Sequence, residues 1–233
     1  LNPNEHGKRV SGLFDNIAVW YDFLNHFLSV GQDVYWRRRL VRFVRSGPTG
    51  AVLDLAAGTL DVSVELLRQN PTLRVFSLDF SRAMLCRGKA KIAKHPAIIP
   101  VQADGRALPL PDGCVDMVTI AFGIRNILPR TDAYREILRV LAPGGRLCIL
   151  EFGTGQARIW QGAYNFYLGT VLPRIGRFFS KNPEAYQYLA DTIRAFPNAR
   201  ILAGELLDAG FDTVSYEPLS SGIVYIHVAQ KPR

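Results

Sequence analysis

Two acids and a cluster of small residues define the first stretch able to do chemistry. From Ala51 to Asp61 the chain reads Ala-Val-Leu-Asp-Leu-Ala-Ala-Gly-Thr-Leu-Asp, with Asp54 inside an apolar run and Ala56, Ala57, Gly58 and Thr59 just beyond it. The run predicts a buried strand, and Asp61 to Arg68 has apolar residues at helical spacing, so the small residues stand where strand hands over to helix. At such a junction unpaired backbone N–H groups face outward, and small side chains let another molecule come close. A second strand from Leu73 to Leu78 ends in Asp79, about twenty residues past the turn, where nucleotide-binding units place a carboxylate that accepts from a ribose. Asp79 also precedes Ser81 and fits equally a plain cap on the next helix.

The elements that must hold this turn alternate along the chain. Strands are expected to Leu55, over Leu73 to Leu78, Ile98 to Gln102, Val115 to Ala121 and Arg146 to Phe152, with helices to Gln69, over Ser81 to Lys94 and Thr131 to Leu141 between them. Repeated strand, helix, strand means a parallel sheet with right-handed crossovers. Ahead of it, Val10 to Val30 forms an amphipathic cap, and Asp33 starts a helix over Val34 to Arg45 with Arg37, Arg38 and Arg39 on its polar side, ended by Gly47-Pro48-Thr49-Gly50. Pro143-Gly144-Gly145 reads as a turn. Ala157 to Lys181 is aromatic and apolar with interspersed arginines, which fits a helical cover over an apolar pocket, a surface leaning on a membrane, or plain helix packing. Helices over Pro183 to Phe196 and Leu202 to Ala209 and closing strands over Phe211 to Tyr216 and Ile223 to Val228 complete the pattern.

With 233 residues, 48% hydrophobic and 21% charged, the composition is that of one globular domain. No apolar run approaches the roughly twenty residues that span a bilayer, and residues 1–6 lack a signal-peptide core, so a cytoplasmic protein is expected. Cys86, Cys114 and Cys148 are scattered, which argues against a zinc site or disulfide framework and for buried free thiols. His6, His95 and His227 show no ligand spacing, so no metal is expected. A net charge of +8 suits nucleic acid, anionic lipid or a negatively charged substrate.

Several segments together resemble one family. They are Phe14-Asp15-Asn16-Ile17-Ala18, Tyr21-Asp22-Phe23-Leu24-Asn25, Trp36-Arg37-Arg38-Arg39, the Val52 to Asp61 turn, Asp104-Gly105-Arg106-Ala107-Leu108-Pro109, Ala121-Phe122-Gly123-Ile124-Arg125-Asn126, Arg139-Val140-Leu141-Ala142-Pro143-Gly144-Gly145, Ile149-Leu150-Glu151-Phe152 and Ala209-Gly210-Phe211. The chain resembles the class I S-adenosylmethionine-dependent methyltransferases, and within them the menaquinone and ubiquinone biosynthesis C-methyltransferases. The Pro-Gly-Gly turn is common to many methyltransferases, whereas Phe-Gly-Ile-Arg-Asn and Tyr-Asp-Phe-Leu-Asn are far more specific. The resemblance implies an α/β, Rossmann-like, mostly parallel seven-stranded sheet with helices on both faces. It further implies a single domain: a helical cap (1–47), a cofactor-binding core (51–152), a helical insertion after the fifth strand (153–209) and closing strands (210–233).

The same resemblance implies roles for residues. The loop Ala56-Ala57-Gly58-Thr59 would lie under the methionine and ribose of S-adenosylmethionine, Thr59 making contact through its backbone or its hydroxyl, with Asp79 accepting from the ribose hydroxyls and Asp104 and Gly105 at the adenine. Asp54 and Phe80 are also expected to bind the cofactor, and Ala121, where several relatives have serine, would offer only its backbone. Arg125 and Asn126 would bind the oxygen of a quinol whose deprotonation makes a ring carbon nucleophilic, stabilising the oxyanion. Arginine keeps its proton, so it would act as base only through water. Tyr21, Asp22 and His26 are candidate bases or orienters. A salt bridge to Asp132 is the alternative role for Arg125.

Three readings follow. The chain methylates a prenylated quinol precursor, demethylmenaquinol or a ubiquinone precursor, in transient contact with the inner face of a membrane; or it methylates nucleic acid, which the absence of an Asn/Asp-Pro-Pro-aromatic motif disfavours; or it is a degenerate binding protein, because the three-glycine turn of the family retains only Gly58, with Ala56 and Leu60 in the outer places. Leu60 is expected to pack in the core on one face with Val64 and Leu67. Sequence leaves tail length and oligomeric state open, a homodimer included.

Overall fold

The computed structural model describes residues 12, 26, 29, 31–44, 47–153 and 183–233, with side chains at 183–187 and 189 set aside. Most of the N-terminal cap before residue 31, Tyr21 and Asp22 included, and the aromatic stretch Ala157 to Lys181 lie outside the described residues, whereas His26 is described and its Nδ1 stands 2.6 Å from Asp33 Oδ2. Helices are α1 (Gln32–Val41), α2 (Asp61–Gln69), α3 (Arg82–Ile92), α4 (Arg130–Val140), α5 (Pro183–Ala195) and α6 (Ala199–Asp208); strands are β1 (Ala51–Leu55), β2 (Arg74–Asp79), β3 (Ile98–Gln102), β4 (Val115–Ala121), β5 (Leu141–Phe152), β6 (Thr213–Leu219) and β7 (Val224–Gln230).

The strands form one sheet in the order β3-β2-β1-β4-β5-β7-β6. Five are parallel, and β7 runs antiparallel to both of its neighbours. β1 is buried at every position because helices cover both sides, which is why it reads as continuous apolar sequence rather than alternation. Leu53, Leu55, Val118 and Ile120 face Tyr134 and Ile137 of α4 and Leu202 and Leu206 of α6. Val52, Val75, Met117 and Leu150 face Trp36 and Leu40 of α1 and Leu66 and Leu67 of α2. The indole N–H of Trp36 donates to Ser220 Oγ at 2.8 Å, tying α1 to the β6–β7 turn.

Several boundaries differ from the sequence pattern for local reasons. α1 begins after Gly31, whose left-handed φ of 75° supplies the cap, and Asp33 sits buried in the first turn instead, accepting from Arg37 and from Ser29 Oγ. α6 starts three residues earlier than expected because the Asn198 side chain accepts from the Ile201 N–H at 3.0 Å. Pro143-Gly144-Gly145 does not separate helix from strand. It bulges within β5, where Val115 pairs with Leu141 but Met117 pairs with Arg146. Of the cysteines only Cys148 is buried, its thiol pushed up to about 12 by desolvation; Cys86 is exposed and Cys114 half-buried, so the expectation of three buried thiols is corrected.

Candidate active site

The chain winds from β1 outward to β3, then returns to place β4 beside β1, so β1 and β4 diverge at a topological switch point. Their carboxyl ends meet closely. A Cβ on Gly123, just past β4, would lie 2.3 Å from the Cβ of Ala56, just past β1. The turn after β1 takes left-handed backbone at alternate positions, with φ of 55° at Ala56, 54° at Gly58 and 70° at Leu60. The path of a three-glycine turn is thus kept by a sequence with one glycine, with about 1–2 kcal/mol of strain at each residue bearing a Cβ. Neighbouring glycines make the room: Ala56 fits against Gly123, and a Cβ on Gly88 of α3 would lie 2.5 Å from Leu60 Cγ.

Leu60 is fully buried as expected, but its companions differ. It precedes α2 as the cap residue and packs with Ala57 and Leu85, whereas Leu67 belongs to the core under α1. Leu60→Gly should therefore lose about 1.5–3 kcal/mol of burial and regain about 1–2 kcal/mol of backbone strain. The expected result is a small fall in melting temperature with cofactor affinity, read by calorimetry, unchanged within a few-fold. Much tighter binding in the glycine variant would mean that leucine obstructs the site.

Asp79 holds the turn directly. Its Oδ2 accepts from the Gly58 N–H at 2.7 Å and its Oδ1 from the Ser81 N–H at 2.8 Å. It is not the cap of α3, a place taken by Ser81, which accepts from the Met84 N–H. The next residue, Phe80, is 38% exposed. Among the described residues, a Cβ on Gly58 would meet within 4 Å only Met84 Cε, at 3.6 Å, so these residues leave room for a ligand to approach the turn there. Asp79→Ala would unseat Gly58 as well as remove a charged acceptor, each such bond contributing about 1.5–3 kcal/mol. Titration calorimetry should read at least a tenfold loss of cofactor affinity.

Asp54 does not face that opening. It is 1% exposed, and both oxygens are taken, by Ser63 Oγ at 2.6 Å and Thr119 Oγ1 at 3.0 Å, with Ser77 Oγ 2.7 Å from Ser63. The expected ligand contact is corrected to a support beneath the turn. Desolvation raises its pKa to about 7, the two hydroxyls pulling the other way. A raised acid binds its proton more tightly folded than unfolded, so its contribution is complete below the ordinary carboxylate range and is lost as pH rises through about 7. At about 1.4 kcal/mol per unit the loss reaches on the order of 4 kcal/mol. Melting curves should fall from pH 5 to pH 8, and Asp54→Asn should flatten that fall.

Thr59 keeps the backbone rather than the hydroxyl as its way of meeting a ligand. It is 4% exposed and its hydroxyl accepts from Lys91 Nζ, which also donates to Asp61 Oδ1 at 2.6 Å, so it is not left free for a ligand. Asp104 stands next to the β3 end, but both of its oxygens are bound by Arg106, whose hydrogen bonds hold the carboxyl below its ordinary range. Gly105 is buried against Ile127, and Ala121, half-buried, closes β4 opposite Leu150.

Arg125 and Asn126 lie on one 3-10 turn, Ile124–Asn126, directly after β4. Arg125 does not pair with Asp132, which binds Arg135. It pairs instead with Glu151 of β5 at 2.7 Å, with side chains 5% and 1% exposed, and also donates to the Phe122 carbonyl. The guanidinium stands 5.4 Å from the Phe152 ring. Asn126 Oδ1 accepts from Tyr188 of α5 at 3.0 Å. Sequence reasoning missed Glu151, Tyr188 and Lys91 as parts of the site. The signal for Glu151 was present, an acid within the apolar strand Leu147 to Phe152, since a buried charge requires a partner.

A family model for the ubiE/COQ5 methyltransferase family matches residues 3–231. The chain belongs to the ubiE/COQ5 methyltransferase family. It is 42% identical over 231 residues to the Geobacter sulfurreducens protein named ubiquinone/menaquinone biosynthesis C-methyltransferase UbiE, covering 97% of this chain and 90% of that one. It is 44% identical over 225 residues to the Mycobacterium tuberculosis demethylmenaquinone methyltransferase, covering 97% and 93%. Among solved structures, an S-adenosylmethionine-dependent methyltransferase of Thermotoga maritima, described as a possible histamine N-methyltransferase, superposes with TM-score 0.69 at 15% identity, over 95% of this chain and 99% of that one. Haemonchus contortus phosphoethanolamine N-methyltransferase 2, solved with S-adenosyl-L-methionine, gives 0.63 at 13% identity over 96% and 57%. These two likenesses carry the class I methyltransferase fold.

Proposed function

We propose that this enzyme transfers a methyl group from S-adenosylmethionine to a ring carbon of a prenylated quinol, converting demethylmenaquinol to menaquinol. The observation that carries the substrate is the 44% identity across 97% of the chain to proteins named demethylmenaquinone methyltransferase. The broader name of the Geobacter relative favours a ubiquinone precursor as the second reading.

The cofactor supplies an activated methyl on a sulfonium. The turn from Ala56 to Leu60, with Asp79 and Phe80 beside it, would hold it, and the open approach at Gly58 and the part-exposed Asp79 carboxylate fit a ribose-bearing ligand. Arg125 and Asn126, following the strand next to that turn, would receive the quinol oxygen and stabilise its charge. Tyr188 orients the Asn126 amide. A net charge of +8 supports transient contact with an anionic membrane surface, where a prenylated substrate resides. Among the described residues no helix is long and apolar enough to cross a membrane.

Purified protein with methyl-labelled S-adenosylmethionine should label demethylmenaquinol in detergent or liposomes and leave RNA and DNA unlabelled. Label in nucleic acid with none in the quinol would overturn the proposal. Activity on a demethylated benzoquinol but not on the naphthoquinol would select the second reading.

A further inference from the structure

Among the described residues, the buried side-chain atoms without a hydrogen-bond partner are Arg125 Nε, Glu151 Oε2 and His227 Nδ1. Two of the three belong to one ion pair. Closure through Arg125 Nη1 and Glu151 Oε1 leaves a desolvated N–H with no acceptor and a desolvated carboxylate oxygen with no donor. A buried polar atom left unmade costs about 1–3 kcal/mol, more when charged, so two on one pair mark a place where a polar group from outside the described residues would be stabilised. A single group serving both atoms would donate once, to Glu151 Oε2, and accept once, from Arg125 Nε. A hydroxyl does both with one atom; an amide or carboxylate does not.

Charge favours the same ligand. A quinol becomes a carbon nucleophile by losing a hydroxyl proton, and doing so in a dry site adds a negative charge that is costly unless paired. Arg125 is already neutralised by Glu151, so an oxyanion beside the intact pair would be a second anion on one cation. If the proton passes to Glu151, Arg125 changes counter-ion from carboxylate to substrate oxygen and the net charge of the site is constant. Burial raises the affinity of Glu151 for a proton, opposed by Arg125, which would itself be drawn to the new oxyanion.

We infer that the Arg125–Glu151 pair is the subsite for the quinol ring hydroxyl next to the methylated carbon, with Glu151 Oε2 as the acceptor of its proton. The inference rests on the quinol reading above. The substrate O–H bond breaks and a new one forms at Oε2. The ring carbon then forms its bond to the methyl as the S–CH3 bond breaks and the sulfur keeps that electron pair as a neutral thioether. The carbon's own proton leaves to water, the C–H electrons return to the ring, and Glu151 gives its proton back to the oxygen. One proton is released overall. Among the described residues, the titratable groups on the same side of the sheet include Tyr225, paired across from Glu151 on β7, and His227 two residues beyond, whose Nε2 meets the Ala199 carbonyl, together with Tyr216 opposite His227 on β6 and, from the helices packed on that side, Tyr134, whose hydroxyl donates to Glu205. Burial raises the phenol of Tyr225 and lowers the imidazole of His227, so neither competes for the proton as an anion or as a cation near neutral pH.

Glu151→Gln leaves the Arg125 charge uncompensated and risks the fold, so the decisive measurement uses the natural protein. With S-adenosylhomocysteine in place of the methyl donor, addition of demethylmenaquinol should produce, in infrared difference spectra, one protonated carboxyl per bound quinol. That band should shift in protein carrying carbon-13 in its glutamate carboxyls. In the Glu151→Asp variant, which keeps the charge, it should lose that sensitivity. Bound quinolate without a new carboxyl band, or a band indifferent to Glu151→Asp, would overturn the inference while leaving the quinol reading intact. A natural protein that neither binds nor methylates the quinol would overturn both.

Discussion

Arg125→Ala should lower stability by about 3–5 kcal/mol, because it leaves the Glu151 carboxylate buried without its cation. For a domain of this length that is a melting temperature lower by about 6–20 °C. Turnover should fall as well, but turnover alone does not separate loss of an oxyanion partner from loss of the fold. The paired variant Arg125→Leu/Glu151→Leu does. Removing both charges from a 1% and a 5% exposed position should recover most of the stability, since apolar replacement of a buried pair is commonly neutral or favourable. Methyl transfer should stay absent while cofactor affinity returns to within a few-fold. A paired variant as unstable as the single one would mean that the fold depends on the pair itself rather than on its being complete.

Gly123→Ala should be the most damaging single methyl in the site. Its Cβ would lie 2.3 Å from that of Ala56, and neither Cβ has a rotamer through which to escape. The strand ends must part, at about 1–3 kcal/mol for an overpacked core and a melting temperature lower by about 2–12 °C. Because those ends carry the turn on one side and Arg125 on the other, calorimetry should show at least a tenfold weaker cofactor. Ala56→Gly is tolerated at a φ of 55° and removes the collision. Ala56→Gly/Gly123→Ala should thus regain both stability and affinity, and failure of the second change to rescue the first would show that Gly123 is needed for another reason.

The parallel core was legible because strand and helix periods alternate cleanly and each strand is bounded by turn residues; β3 and β4 fall at the expected residues. Which acid meets a ligand was less legible. Asp54 and Asp79 both stand near strand ends beside small residues, but Asp54 lies one residue inside β1, where helices cover both faces, while Asp79 ends β2 at the rim. A difference of one residue in depth separates a sealed support from an open acceptor. Arg125 was recognised from its motif and its partner was not, because a pair formed between adjacent strand ends twenty-six residues apart has no local pattern. The Leu60 misplacement has a similar origin: helical spacing assigned it to the face of α2, whereas a left-handed cap residue points elsewhere and meets α3.

The order in which the sheet can be completed follows from the place of β7. This strand comes after β6 in the chain yet lies between β5 and β6, so β5 keeps an open edge until residues 224–230 have been made. Glu151 pairs across that edge with Tyr225, roughly seventy residues later. At a synthesis rate of about 5–20 residues per second, the nascent chain leaves one edge of an apolar strand open for about 4–15 s before its second partner exists. The half-sheet β3-β2-β1-β4 that carries the cofactor turn needs none of those later residues to pair. On the ribosome, the donor side of the enzyme can therefore assemble before its acceptor side, and that interval is when a chaperone would have a strand edge to hold.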